Sequence, residues 1–243
     1  MRGAWHEHLA GFDLETTGVD VESARIVTAA LVDRGPIPAR PVTWVADPGV
    51  EIPAGAAKLH GYTTERARAE GISPEEVVGE LVALLATYAD EGVPVVAMNA
   101  TYDFTVLDRE ARRHGITPLV DLVGDRLWVV DPWVLDRKLD RYRRGGRTLE
   151  DLCRHYRVPL GKAHDAAADA VAAVDVVRAI VKREPVIGTA TPEFLHDRQA
   201  DWARVLADDR AAYFARTPGK EHRAAGVLRD WPLVPFRAEG VPA

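Results

Sequence analysis

Apolar and polar positions alternate through the first third of the chain. Residues 9–15, LAGFDLE, make a short apolar run broken by two acids. RIVTAALVD, 25–33, mixes β-branched with small apolar residues, and PVTWVAD, 41–47, puts Val42, Trp44 and Ala46 on one face. Prolines and glycines punctuate these runs, so the pattern predicts three antiparallel strands. The period then lengthens. In SPEEVVGELVALLATYAD, 73–90, Ser73 is placed as N-cap, Pro74 at the first helical position and Glu76 three after the serine. Val77, Leu81, Leu84 and Leu85 form its predicted apolar stripe.

VPVVAMN (93–99) and RLWVVDP (126–132) read as buried strands around a second helix, TYDFTVLDREARRHG, closed by Gly115. Asp108 of that helix is expected to face solvent. RTLEDLCRHYRV predicts a helix entered through Thr148 with Asp151 completing its start. HDAAADAVAAVDVVRAIVKRE predicts a long Ala/Val helix with basic residues at its C-terminal dipole. Strands followed by alternating helices and strands imply an α/β fold, a mixed sheet with helices packed on it.

After about residue 186 the texture changes. TPEFLHDRQADWARVLADDRAAYFART predicts a helix docked through Phe194, Trp202, Leu206 and Phe214, and a Pro-rich irregular tail follows. The expected organisation is a main domain over 1–185 and a helical C-terminal extension over 186–243, packed on it.

The 243 residues suffice for one sizeable core. No apolar run approaches the roughly 18 residues that span a bilayer, and the N-terminal residues lack a signal-peptide pattern. A cytoplasmic protein with no membrane partner is expected. The single cysteine, Cys153, excludes an intrachain disulfide and a cysteine-rich zinc site. The net charge of −6 argues only against a large non-specific nucleic-acid surface.

Asp13 and Glu15 are two apart on a strand and share a face. Like charges there repel unless neutralised. They are either solvated acids of an exposed edge or ligands of a divalent cation, for which oxygen-only ligation favours magnesium or manganese. Asp103, just after a strand, is either a further ligand or a first-turn acid placed for the helix dipole. Asp169 lies in the first turns of the Ala-rich helix. On a continuous helix His164, five residues earlier, would diverge from it by about 140°, so His164 is placed in the preceding loop, with Asp165 near the cap. There it either overhangs a site or is a plain exposed histidine.

Together these residues resemble the DEDD superfamily of 3′–5′ exonucleases, in the His-containing branch that includes the proofreading epsilon subunit of bacterial DNA polymerase III. FDLETTG matches the first motif with Asp13 and Glu15, NATYDFTVL the second with Asp103, and HDAAADA the third with His164 and Asp169. KLHGYTTE resembles the family's His-Gly-Ile-Thr segment, with Tyr62 in place of Ile. Met98 and Tyr102 depart from the usual His and Phe of the second motif. The resemblance covers about residues 8–182.

The resemblance implies a ribonuclease-H-like fold and phosphodiester hydrolysis with two divalent cations, Mg2+ or Mn2+. Ions about 4 Å apart activate water and stabilise the leaving oxygen. It casts Asp13 as bridging ligand, Glu15 and Asp169 as ligands of the water-side ion, Asp103 as acting on the other, and His164 as general base, since imidazole ordinarily titrates near neutrality. It also places the backbone of Thr16 and Thr17 at a terminal 3′-hydroxyl and His60 near the terminal nucleotide. Phe104 either stacks on a base or packs in the core. Arg143 and Arg144, in the basic segment RKLDRYRRGGR, either contact phosphate or form a solvated loop. The implied substrate is a nucleic-acid 3′ end, single-stranded or frayed DNA, with a DNA polymerase as a candidate partner. The competing readings are an exoribonuclease or oligoribonuclease and a catalytically silent nucleic-acid- or polymerase-binding domain.

Overall fold

The structure is a computed structural model that describes residues 4–37 and 39–237. Residues 238–243 of the tail read as irregular lie outside the described residues.

Three strands, β1 (Ala10–Thr16), β2 (Ile26–Asp33) and β3 (Val42–Val45), pair antiparallel as the alternation predicts. β4 (Val95–Val96) and β5 (Val129–Val130) add in parallel beyond β1, giving the order β3-β2-β1-β4-β5. Between β3 and β4 come α1 (Ala54–His60), α2 (Thr64–Glu70) and α3 (Pro74–Glu91). α4 (Ala100–Arg113) and α5 (Leu119–Val123) separate β4 from β5. α6 (Pro132–Leu139), α7 (Leu149–Tyr156), α8 (Ala166–Arg183), α9 (Pro185–Thr189) and α10 (Pro192–Ala215) follow. This mixed sheet with packed helices agrees with the ribonuclease-H-like expectation.

The sheet separates two apolar layers. Phe12, Leu14 and Ile26 pack with Leu81, Leu85, Phe104 and Leu107 of α3 and α4. On the opposite side Val96, Val130 and Leu135 pack with Leu152, Cys153 and the Ala/Val face of α8. Ser73 caps α3 through its side chain, accepting from the Glu76 N–H at 3.2 Å, as the motif predicts. α7 starts with a reciprocal Thr148–Asp151 capping box.

Several expectations are corrected. Leu84 is 36% exposed, and the buried α3 stripe runs instead through Val77, Val78, Leu81, Val82 and Leu85. Val42 is exposed although Trp44 and Ala46 are buried, because it is the first residue of the edge strand β3. Asp108 is buried, ion-paired with Arg109 at 2.6 Å and Arg112 at 3.0 Å. Phe194 is exposed and its neighbour Leu195 takes the buried position.

The extension binds β5 through side chains. The Val129 N–H donates to His196 Nδ1 at 2.9 Å, Gln199 Nε2 donates to the Val129 carbonyl at 3.0 Å, and the Asp131 N–H donates to Gln199 Oε1 at 2.8 Å. Beyond α10 the chain straps α4: the Val234 N–H donates to the Thr105 hydroxyl at 3.0 Å, and Trp231 and Leu233 pack on the first layer. Among the described residues no helix is long and apolar enough to cross a membrane.

Candidate active site

β1 carries the first two acids. Burial alternates along it, so Phe12, Leu14 and Thr16 are buried while Asp13 and Glu15 are partly open on the other face. Their partners on β2 are the small Ala30 and Thr28, and the register shifts between Glu15 and Thr16, where the strand ends. Bulges of this kind often sit beside active sites.

Gly11 shares the face of Asp13 and Glu15. A Cβ there would stand 2.6 Å from the Ala170 carbonyl oxygen of α8. The missing side chain lets α8 close onto β1, which brings its Asp169, the neighbour of Ala170, to the acids of β1. Asp165 caps the helix, accepting from the Ala168 N–H at 3.1 Å, and His164 lies in the preceding loop at φ 60°. The His164 N–H donates to Asp169 Oδ2 at 3.2 Å.

Asp103 arrives from the first turn of α4 and is 4% exposed. Its Oδ1 accepts the Leu14 N–H at 3.1 Å, which ties α4 to β1 between the two strand acids. Asp131 anchors the start of α4. Buried at the N-terminus of α6, it accepts from the N–H groups of Asn99, Ala100 and Trp133 at 3.1, 3.0 and 2.8 Å. Burial raises its pKa to about 6 against these bonds. Sequence reasoning missed this residue, although Asp-Pro at the end of VVDP is a helix-start signal.

The four acids repel one another. Burial, then the charges of Asp103, Asp169 and Glu15, hold the Asp13 pKa well above the carboxylate range. Burial, then Asp169 and Asp165, pushes Glu15 up to about 7. Burial raises Asp103 against the Leu14 N–H, and raises Asp169 against the His164 N–H. Ligand atoms of Glu15, His164 and Asp169 lie within 4.8 Å of one another, and Asp169 Oδ1 is buried with no hydrogen-bond partner among the described residues. An oxygen-rich set of mutually raised acids with an orphaned carboxylate oxygen fits a hard divalent cation.

The turn after β1 is held firmly. The Thr16 hydroxyl donates to the Gly18 carbonyl at 2.9 Å, and the Tyr102 hydroxyl reaches both groups. Thr17 bonds the Arg25 backbone through its N–H and its hydroxyl, each at 3.0 Å. His60, at the end of α1, is buried with Nε2 unpartnered among the described residues. Burial lowers its pKa, while the Thr16 backbone pulls the other way.

Two expected substrate contacts are corrected. Phe104 is 3% exposed and packs edge-on against Phe12, centroids 5.4 Å apart, so it belongs to the core and not to a base-stacking surface. Arg143 turns inward to the buried Asp136 at 3.1 Å, where Arg147 and the Tyr156 hydroxyl also bind. Arg144 alone of the expected pair is exposed.

Comparison with known proteins agrees with this geometry. A family model described as Exonuclease, of the RNase T type, matches residues 10–177. A PolC-type DNA polymerase III from Lacticaseibacillus paracasei is 28% identical over 211 residues, covering 85% of this chain and 14% of that protein. E. coli exonuclease I solved with a dA16 oligonucleotide superposes with a TM-score of 0.64 at 19% identity, over 75% of this chain and 42% of that one. Exonuclease I from Methylocaldum szegediense gives 0.63 at 22% identity, over 82% and 45%. The chain therefore spans less than half the length of these solved structures and a small part of the polymerase, and the structural likeness establishes the shared fold. With a family model covering most of its length, the chain belongs to the DEDD-type 3′–5′ exonuclease family.

Proposed function

We propose that this chain is a metal-dependent 3′–5′ exonuclease that hydrolyses phosphodiester bonds at single-stranded or frayed DNA 3′ ends and releases nucleoside 5′-monophosphates, in a repair or proofreading role. The observation that carries this reading is the convergence of Asp13, Glu15, Asp103 and Asp169 from three distant segments, with pKa values raised by burial and mutual repulsion. The catalytic unit is residues 1–185, with 186–243 as the docked extension.

Asp13, Glu15, Asp103 and Asp169 hold divalent cations, magnesium or manganese. Bound cations supply water activation and stabilise the charge on the departing 3′-oxygen. His164, open to solvent at the helix entrance, takes the proton of the attacking water. The backbone of Thr16 and Thr17 receives the terminal 3′-hydroxyl, and His60 stands beside the terminal nucleotide.

RNA is the second substrate class, favoured by the RNase T type of the matching family model. The likeness to a PolC-type polymerase supports a polymerase as partner. Labelled single-stranded DNA, mismatched duplex and short RNA, each with magnesium, manganese or chelator, separate these readings. Mononucleotide release from DNA that needs metal and falls at least a thousandfold in Asp13→Ala is expected, on the order of what removing one essential group costs. Wild-type rates in Asp13→Ala would overturn the assignment. Faster release from RNA would move the substrate, and no release from any strand would leave a silent binding domain.

A further inference from the structure

A cavity of about 430 Å³ lies where the extension meets the core, and no role described so far uses it. It is lined by Val19 and Tyr102 together with Leu206 and Phe214 of α10 and Trp231 of the strap. Tyr102 also bonds the Thr16–Gly18 turn, so one side chain touches both the cavity and the turn that follows the acids of β1. Val19, one residue beyond that turn, is 93% exposed at the rim.

The lining has the chemistry of a nucleotide site. Aromatic side chains from three separate segments, Tyr102, Trp133 and Trp231, line it, and although Trp133 already carries Arg137 and Trp231 meets His196, such rings are surfaces on which any base stacks. Arg210 and Arg223 also line the cavity, both exposed and both placed over the Phe214 ring at 5.5 and 4.7 Å. Neither has an acidic partner among the described residues, whereas the neighbouring Arg229 is paired with Asp208 at 2.8 Å. Asp131 and Asp230 also line the cavity, but Asp131 is taken up by the N–H groups of Asn99, Ala100 and Trp133 and neither acid pairs with Arg210 or Arg223, so two guanidinium groups without an ion pair beside aromatic side chains suit a phosphate attached to a base. The volume lies in the range of small-molecule sites.

We propose that this cavity receives an unpaired nucleobase of the substrate strand, upstream of the bond that is cut, with Arg210 and Arg223 on its phosphate. The inference rests on the exonuclease reading and extends it, because a base can enter only when it is free of its complement. The extension then forms part of the substrate site and selects single strands over closed duplex.

Two variants test it: Leu206→Trp, which fills the cavity, and Arg210→Ala/Arg223→Ala, at exposed positions that leave the core intact. Binding of a fluorescent single-stranded oligonucleotide in chelator reads the cavity without turnover, and both variants are expected to bind about tenfold more weakly. With metal, KM for the oligonucleotide should rise to match. Hydrolysis of the p-nitrophenyl ester of thymidine 5′-monophosphate, which has no upstream base, should not change. Oligonucleotide affinity within twofold of wild type in the arginine variant would overturn the proposal and leave the exonuclease reading intact. Loss of ester hydrolysis in parallel with oligonucleotide binding would also overturn it, because the cavity would then not be separate from the acidic centre. A wild-type chain inactive on both substrates would instead overturn the exonuclease reading, while the binding measurement would still decide the cavity.

Discussion

Asp136 has no solvent access and is surrounded by Arg143, Arg147 and the Tyr156 hydroxyl. A buried carboxylate left with too few partners is expensive, and breaking such a pair costs about 3–5 kcal/mol. Arg147→Ala is therefore expected to destabilise by that order, and Arg143→Ala by less, since Arg147 also donates to the carbonyls of Asp140, Arg141 and Arg143 while the Arg143 guanidinium binds Asp136 alone. Arg144→Ala should leave the melting temperature unchanged and, if Arg144 meets phosphate, lower the salt dependence of DNA binding by about one counterion. Thermal melts and a salt titration check all three, and an equal loss of stability at Arg143 and Arg144 would contradict the inward placement. The composition of RKLDRYRRGGR could not separate these arginines. Arg143 is shielded by an acid seven residues earlier on another element, and only the folded chain reveals that acid as buried. Asp108 differs, because its partners Arg109 and Arg112 lie on its own helix, and their charge is what lets it be buried.

Among elements, the contact of α8 with β1 decides whether Asp169 meets Asp13 and Glu15. Gly11→Ala would force the Ala170 carbonyl away, and overpacking of this kind typically costs about 1–3 kcal/mol. The expected outcome is a lower melting temperature together with nuclease activity reduced more than stability alone explains, since Asp169 moves with the helix. Gly79→Ala is the control: it lies within α3, its nearest neighbour would be Ile116 Cδ1 at 4.0 Å, and it should stabilise by about 0.5–1 kcal/mol without touching activity. Melting curves and initial rates on one single-stranded oligonucleotide decide both, and an unperturbed Gly11→Ala would contradict the close approach. The strands and the capped helices α3 and α7 were readable because periodicity and capping are local signals. α1 and α2 were not read, because they are single short helices, while β4 and β5 are two-residue strands whose limits depend on neighbours. The meeting of the acids on one end of the sheet was legible only through the spacing and order of three motifs, and Asp131, which sets α4, lay outside them.

For the whole molecule, the acidic centre couples stability to pH. Glu15 has a carboxyl raised from 4.5 to about 7, and Asp13, Asp103 and Asp169 are raised in the same direction. The folded state therefore holds protons that the unfolded chain releases. This stabilisation is complete below about pH 4.5 and is lost as pH rises through 7. In chelator this group of acids is expected to lower the melting temperature between pH 5 and 8. Saturating magnesium, which binds the folded state, should reverse the fall. Calorimetric scans with and without metal check this, and a midpoint that is flat with pH in chelator would mean that the acids do not crowd one another.

The grip of α10 on β5 has a consequence for solubility. The outermost parallel strand ends the sheet, and an unsatisfied strand edge invites another chain to add to it. His196 and Gln199 occupy the Val129 N–H, the Val129 carbonyl and the Asp131 N–H with side-chain atoms, so two residues of a helix do the work of a sixth strand. A chain ending before α10 would present those three groups bare and is expected to self-associate by strand addition, which light scattering would register as a rise in mass with concentration. The extension then acts as a cover against aggregation, whatever else passes beneath it.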